Sequence, residues 1–448
     1  MHPVLSRILS RLLIDRRDGH RQQVIEEFRD KVRFDFLSKN LREEYRLGKL
    51  AALLNHARCH VPFYRDIMKQ HGVVSAASAM DILATLPVIQ RSDLQKNPDA
   101  FKTDLQGEVY PDATGGSTGT PLRFVVDRVT QRARESSLYW ADSLAGWRYG
   151  ERIAMLWGSD KDVASASRKA RVSMRWIIDN RRWYNAFNMG EDRMEEFHRA
   201  LSRFRPHVLV AYAGSTEVYA RYLRSKNIRP DYPLRAIICS AEVLTPQARQ
   251  TITEVFGCPV HDRYGNREFG AIACECGKQE GMHINERDFI LEVDSPNSVL
   301  SAGPLIVTYL HNLAMPFIRY NTGDLARLHT ESACRCGRAT RRISSVTGRM
   351  ADTIRTRSGK LIHGEYFTHL FYSATAIREF QFVQVTLDHY RLLLVTDGKE
   401  AITSLDKIRR DILDEVGSDC RLDIEYVDAI PVLSSGKRKF TLSLLEQP

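Results

Sequence analysis

The 448-residue sequence lacks any apolar run of the roughly 18 residues that a membrane span requires. Its opening, MHPVLSRILSRLLIDRRDGHR, interrupts the apolar positions with Arg7 and Arg11, so the continuous apolar core of a secretory signal is missing as well. Val4, Leu5, Ile8, Leu9, Leu12 and Leu13 instead fall on one helical face, a stripe that more often docks on a protein's own core than on a membrane surface. No internal repeat or low-complexity tract occurs, which sets aside solenoids and disordered scaffolds. The eight cysteines, four of them in the pairs Cys274/Cys276 and Cys334/Cys336, form no disulfide framework and read as metal ligands in a reducing, cytoplasmic setting.

A net charge of +10 favours a polyanionic partner: a nucleotide, coenzyme A, nucleic acid or an anionic membrane surface. The densest basic stretch, 161–183, sets seven Lys or Arg against two Asp, and reads either as a solvated face or as a hold on an anionic cosubstrate. A nucleic-acid protein would place basic and aromatic residues beside the cysteines. Glu275, Glu280 and Glu286 stand there as well, so nucleic acid is not the expected partner.

Residues 20–58 read as a charged amphipathic helix, with Val24, Phe28, Val32 and Phe36 spaced four apart. Further on, RPHVLVAYAGSTEVYARYLRSKN and LRAIICSAEVLTPQARQTITEVFG repeat the order strand, turn, helix, and CPVHDRYGNREFG adds another short strand and turn. That alternation predicts an α/β fold with parallel sheets covered by helices. Ligands of such sheets bind beyond the carboxyl ends of the strands. Ser240-Ala241-Glu242 and Tyr264-Gly265-Asn266-Arg267-Glu268 lie at two such ends. Short strands follow from about 288 to 345, and residues 361–448 read as a compact α+β module.

The stretch with the strongest chemical signal is YPDATGGSTGTP, Tyr110 to Pro121. Glycines let backbone N–H groups approach phosphate oxygens, and the hydroxyls of Thr114, Ser117, Thr118 and Thr120 add donors. No Gly-Lys-Ser/Thr follows, so this is not the Walker form.

Residues 55–121, with HARCHVPFYRDIMKQHGV, DILATLPVIQRSDLQKNP and TGGSTGTP, resemble the phenylacetate–coenzyme A ligase family of adenylate-forming enzymes, and within it the capsular polysaccharide branch. SAE, YGNRE, RYNTGD, GRMAD and a carboxy-terminal SSGKRK follow in that family's order. The resemblance implies a large adenylation domain over 1–347 and a small α+β lid domain over 348–448 that reorients between half-reactions. It further implies roles. Thr114, Gly115, Gly116, Ser117, Thr118, Gly119 and Thr120 cradle the phosphates of ATP. Ser240, Ala241 and Glu242 line the adenine and acyl sites, and Tyr264 with Gly265 flanks a base or acyl group. Glu268 ligates magnesium, Asp324 accepts both ribose hydroxyls, Arg349 meets phosphate or ribose, and Asp352 lies near the interdomain hinge. Lys437, with Lys439 as its neighbour and rival, stands between the carboxylate and the α-phosphate, where a point charge offsets the repulsion of two anions. Catalysis would fall to Lys437, Glu268 and Thr118.

Cys276 and His283, with the Cys334/Cys336 knuckle about fifty residues on, supply three thiolates and one imidazole. Such a set closes a tetrahedral zinc site with no position left for water, hence structural. Family members with these cysteines are similar, and they imply a zinc subregion over 274–336, with Cys274 as an alternative ligand. Cys59, Cys239, Cys258 and Cys420 read as core residues. His60, His207, His261 and His363 are left out of the catalytic set, because a carboxylate already ionised at neutral pH needs no obligatory base.

The expected function is an AMP-forming ligase: a carboxylic acid and Mg-ATP give acyl-AMP and pyrophosphate, and the acyl group passes to coenzyme A or to an amine. The capsule-like features leave coenzyme A open, and an amide ligase of polysaccharide or secondary metabolism, or a non-catalytic adenylate-binding assembly protein, stand as alternatives. Trp140, Tyr212, Ser240 and Tyr264 are the candidates for the acid pocket. The acid and the oligomeric state are not legible.

Overall fold

The computed structural model describes residues 19–114, 122–157, 180–186, 191–295, 297–329, 333–349, 353–357, 361–363, 367, 370–371, 377–396, 405–430 and 440–445. They fall into two compact units. The larger comprises the described residues up to 346 apart from 323–325, and the smaller those from 347 onward together with Gly323–Leu325.

The larger unit begins with five helices, α1 (Gly19–Phe34), α2 (Lys39–His60), α3 (Pro62–Ile67), α4 (Ala79–Thr85) and α5 (Arg91–Lys96). The single helix expected over 20–58 is therefore two. At the break Asp35 accepts from the Trp140 indole at 2.9 Å and from Arg338, and Ser38 caps the second helix by accepting from Leu41 N. Phe36, placed on the apolar face by its spacing, ends up 53% exposed.

A hairpin of β1 (Val109–Ala113) and β2 (Arg123–Asp127) leads into α6 (Arg128–Leu144), whose N-cap Asp127 accepts from Thr130 N at 2.6 Å. Then come β3 (Ile153–Leu156), β4 (Arg181–Tyr184), α7 (Glu191–Phe204), β5 (Val208–Tyr212), α8 (Ala213–Ser225), β6 (Ala236–Ser240), α9 (Pro246–Phe256) and β7 (Val260–Asn266). β4, β3, β5, β6 and β7 pair in parallel in that spatial order. Both faces of this half are covered, so β3, β5 and β6 are buried at every position. One face packs on α7 through Met194, Phe197, Leu201 and Phe204, a helical stripe worth roughly 1.5–3 kcal/mol per side chain, and the other on Val24, Tyr139 and Trp147. α9 shows local sequence control at both ends: Thr245 caps it by accepting from Ala248 N, and Gly257 closes it at φ +66°.

β8 (Gly270–Glu275), β9 (Met282–Ile284), β10 (Phe289–Val293), β11 (Gly303–Tyr309), β12 (Tyr320–Leu328) and β13 (Arg342–Arg349) extend the sheet to eleven strands, in the order β10-β11-β12-β13-β9-β8-β7-β6-β5-β3-β4. The largest core lies over this half and is filled by Phe269, Phe289, Tyr309 and Phe317 together with side chains of α2 to α5. The smaller unit holds a hairpin of β14 (Thr353–Arg355) and β15 (Leu361–His363), then β16 (Ile377–Gln384), β17 (His389–Thr396), α10 (Leu405–Val416), β18 (Arg421–Tyr426) and β19 (Thr441–Ser443). Its four-stranded sheet, β18-β17-β16-β19, buries Phe382, Tyr390, Leu392 and Leu394 against Ile408 and Ile412 of α10.

Candidate functional site

The carboxyl ends of β5, β6 and β7 stand in one row, with Tyr212 opposite Ser240 and Ser240 opposite Arg263. Ser240 is buried and its hydroxyl donates to the Arg263 carbonyl at 2.8 Å. Ala241, next in the turn, sits at φ +68°, a left-handed conformation that costs an L-residue roughly 1–2 kcal/mol. Glu242 reaches to the first turn of α8, where its carboxylate accepts from Gly214 N at 2.8 Å and meets the positive end of the helix. The two strand-end turns are thus fastened to each other.

β7 bends at Gly265. A Cβ there would stand 2.3 Å from the Gly270 carbonyl oxygen, so only glycine permits the close return of the chain. The loop so formed carries Glu268, which is buried. Arg134 of α6 steadies the loop by donating to the Arg267 carbonyl and, at 3.0 Å, to Asp112 of β1. Arg267 also lies 3.7 Å from Asp112. Tyr264 is half-buried against the core.

The root of the glycine stretch meets this loop. Thr114 pairs with Leu122 in both directions, backbone to backbone at 3.0 Å and Leu122 N to Thr114 Oγ1 at 3.0 Å, which brings the two ends of the 115–121 segment together. Arg91 donates to the same Thr114 hydroxyl at 2.7 Å, and its other terminal nitrogen is 3.9 Å from Glu268 Oε1. Two separately expected residues, Thr114 and Glu268, are therefore neighbours of one guanidinium. Arg91 itself was not among the expected residues. Asp324 is half-buried on β12, directly after Gly323 at φ +79°, a turn geometry that glycine adopts at no steric cost. Arg349 ends β13, its side chain outside the described residues, as are Gly115, Gly116, Ser117, Thr118, Gly119, Thr120, Asp352, Lys437 and Lys439.

The acid-pocket expectation changes at one position. Trp140 is fully buried beside Cys274, Cys276 and Cys334, with its indole committed to Asp35, and so does not stand with the strand-end residues. Tyr212 does, stacked on Trp157 at 4.5 Å between ring centres. Of the basic stretch, Arg181 pairs with the buried Asp142 at 2.6 Å and Arg182 lies over the Phe204 ring at 4.4 Å; residues 161–179 lie outside the described residues.

Asp262, two residues before Tyr264, is pushed up to about 7, first by burial and then by the charge of Glu275. The folded chain keeps this proton while the unfolded chain releases it near the ordinary carboxylate value of about 4, so between those values the folded state binds more protons and loses stability as pH rises. Asp262→Asn removes that loss. Urea unfolding at pH 5 and pH 8 should show a decline in the parent protein that shrinks by about 1 kcal/mol or more in the variant; equal slopes would refute the assignment.

Cys276, His283, Cys334 and Cys336 form the one group of potential metal ligands among the described residues, with all four ligand atoms within 4.8 Å of one another. The Cys276 and Cys334 sulfurs are 3.6 Å apart, and Cys336 Sγ is 3.3 Å from His283 Nε2. Tetrahedral zinc with bonds of about 2.3 Å to sulfur sets ligands about 3.8 Å apart, so the set fits that ion. The surroundings fit too. His283 Nδ1 is 3.0 Å from the Thr340 hydroxyl, which leaves Nε2 turned to the sulfurs, and backbone N–H groups of Lys278 and Arg338 point at Cys276 and Cys336. Burial, followed by the charges of Arg338 and Arg342, lowers His283 to about 3, so the ring is a neutral ligand. Cys274 is not part of the group: its thiol donates to the Glu275 carbonyl.

Comparison with known proteins agrees with this architecture. Residues 354–443 match the CapK C-terminal domain. The chain is 24% identical over 414 residues to Protein CapK of Staphylococcus aureus, covering 90% of this chain and 91% of that protein. It is 25% identical over 370 residues to the phenylacetate-coenzyme A ligase of Thermus thermophilus, covering 80% and 78%. Among solved structures, 2-hydroxyisobutyryl-CoA ligase in the postadenylation state, in complex with R3-HIB-AMP, superposes with a TM-score of 0.71 at 18% identity, covering 92% of this chain and 91% of that one. The resemblance to phenylacetate–coenzyme A ligases and their capsule branch holds over most of the chain, and the fold is that of adenylate-forming ligases. Among the described residues no helix is long and apolar enough to cross a membrane.

Proposed function

We propose that this chain, with that fold and those relatives, activates a carboxylic acid by adenylation and hands the acyl group to coenzyme A or an amine. The observation that carries the reading is the meeting of Thr114 and Glu268 at Arg91, which joins the root of a phosphate-binding loop to a buried carboxylate beyond the ends of parallel strands. In the first step a carboxylate oxygen attacks the α-phosphorus of ATP. The bond from that phosphorus to the bridging oxygen breaks, and pyrophosphate leaves with the electron pair. Gly115, Gly116, Ser117, Thr118, Gly119 and Thr120 would hold the phosphates through backbone N–H and hydroxyl donors. Asp324 would accept the ribose hydroxyls and Arg349 would meet phosphate or ribose. Ser240, Ala241, Glu242, Tyr264 and Gly265 would shape the adenine and acyl sites. Magnesium, held by Glu268, would supply charge neutralisation on the phosphates. Lys437 would stand between the two anions during the displacement. In the second step a thiolate or amine attacks the acyl carbon and AMP departs. Zinc in the Cys276, His283, Cys334 and Cys336 group would be structural, because four protein ligands leave no open position. A division of labour between an adenylation domain over 1–347 and a lid over 348–448 belongs to the same proposal.

Carboxylate-dependent ATP–pyrophosphate exchange across aryl, fatty and amino acids tests it. Lys437→Ala should lose at least about 100-fold in exchange, the scale of removing one aimed electrostatic group, while Lys439→Ala retains it. Exchange that survives in Lys437→Ala would remove that residue from the mechanism. No ATP binding and no exchange with any acid would overturn the reading.

A further inference from the structure

We propose that Arg91 is a positioning residue of the nucleotide site, holding the root of the phosphate loop and the Glu268 carboxylate in register before the nucleotide arrives. The inference rests on the adenylation reading. Its geometric basis is the fork of one guanidinium: Nη2 donates to Thr114 Oγ1 at 2.7 Å while Nη1 faces Glu268 Oε1 at 3.9 Å. A planar guanidinium serves two partners at fixed spacing, whereas an ammonium on a flexible stem is a point charge.

Arg91 can hold them because it is itself held. It is the first residue of α5, whose start is closed by a capping box in which Asp93 accepts from Gln90 N at 2.8 Å. The preceding residue, Ile89, bridges in parallel to Tyr320; its N–H donates to the Arg319 carbonyl and its carbonyl accepts from Asn321 N, each at 2.9 Å. The Asn321 side chain then donates to Gln90 Oε1 at 3.1 Å. Segment 89–91 is thereby sewn onto the start of β12. Two stretches far apart in sequence, ending in Thr114 and Glu268, share this one brace. A site whose polar groups are aimed in advance loses less freedom on binding and stabilises developing charge without rearranging.

The test compares Arg91→Met, Arg91→Lys, Thr114→Val and the Arg91→Met/Thr114→Val double variant in the full chain, by exchange kinetics, by equilibrium dialysis with ATP and by thermal unfolding. Arg91→Met should raise the KM and the dialysis Kd for ATP about tenfold, the scale of one charge-assisted hydrogen bond, with the KM for the acid and the Tm unchanged. Arg91→Lys should recover only part of the loss. Thr114→Val should show a shift in the same direction, and the double variant should lose less than the sum of the two single losses, because both cut the Arg91–Thr114 link while each also removes a contact of its own, to Glu268 or to Leu122 N. Additive losses, an unchanged Kd for ATP, or a joint rise in both KM values with a fallen Tm would overturn the positioning role. A parent protein that binds no ATP would overturn the adenylation reading and this inference with it; a parent that binds ATP while the Arg91 variants match it would remove the inference alone.

Discussion

Cys334→Ser should yield a protein that has lost one equivalent of zinc and unfolds about 10 °C below its parent. The cysteine knuckle adds a cross-link at the point where β8, β9 and β13 pair. Cys276 follows β8, His283 lies in β9, and Cys334 and Cys336 begin the segment that leads to β13. From the same knuckle Arg338 reaches Asp35 at 3.1 Å, and Ala339 N donates to the Asp35 carbonyl at 2.7 Å, so the exit of α1 is tied down as well. Opening the site leaves three ligands, two of them buried, with no ion. A loss of roughly 3–5 kcal/mol, at about 2–4 °C per kcal/mol for a body of this size, gives the stated shift. Metal analysis and calorimetry read it, with Cys274→Ser as the control that keeps its zinc. A parent protein free of zinc, or a Cys334→Ser variant with an unaltered Tm, would defeat the assignment.

Lys31→Met should cost about 3–5 kcal/mol of stability, the penalty of stranding a buried charge. Lys31 and Asp288 have no exposure, and their side chains meet at 2.6 Å. Asp288 also receives Asn285 Nδ2 at 2.7 Å and lies 2.8 Å from His311 Nε2. Burial pulls the Lys31 ammonium below its ordinary value, while Lys31 and His311 counter the effect of burial on Asp288 and hold its carboxyl low, so the pair stays ionic. Adding Asp288→Asn to Lys31→Met should recover more than half of the loss, since the carboxylate is then no longer left without its ammonium. Chemical denaturation of the two variants decides it: equal stability would mean that the charge on Asp288 is satisfied without Lys31.

The parallel half of the sheet was legible because burial on both faces writes itself into the sequence: VLVAY and AIICS are apolar or small throughout, and each is followed by a helix, α8 directly and α9 after a turn and the Thr245 cap. The clustering of Cys276, His283, Cys334 and Cys336 was legible because ligand chemistry admits few residue types, although the spacing alone left Cys274 as an alternative to Cys276. What failed had partners far along the chain. Nothing between residues 20 and 58 announces that Asp35 will be claimed by Trp140 and Arg338, so the helix looked continuous. For the same reason Trp140, an aromatic on a helix near the expected pocket, turned out to be a core residue. Arg91 left no mark either, because an arginine at a helix start has no periodicity to betray it; only the fold brings Thr114 and Glu268 within its reach.

The Lys31–Asp288 pair has a consequence for the chain's birth. The partners are separated by 257 residues, so at about 5–20 residues per second a ribosome leaves the lysine without its carboxylate for ~13–50 s. Until then Lys31 of α1 has no carboxylate to neutralise it, even once Val24 and Phe28 have Tyr139 and Trp147 to pack on. Completion of the larger unit, with this buried charge paired, therefore waits on translation rather than on local folding speed.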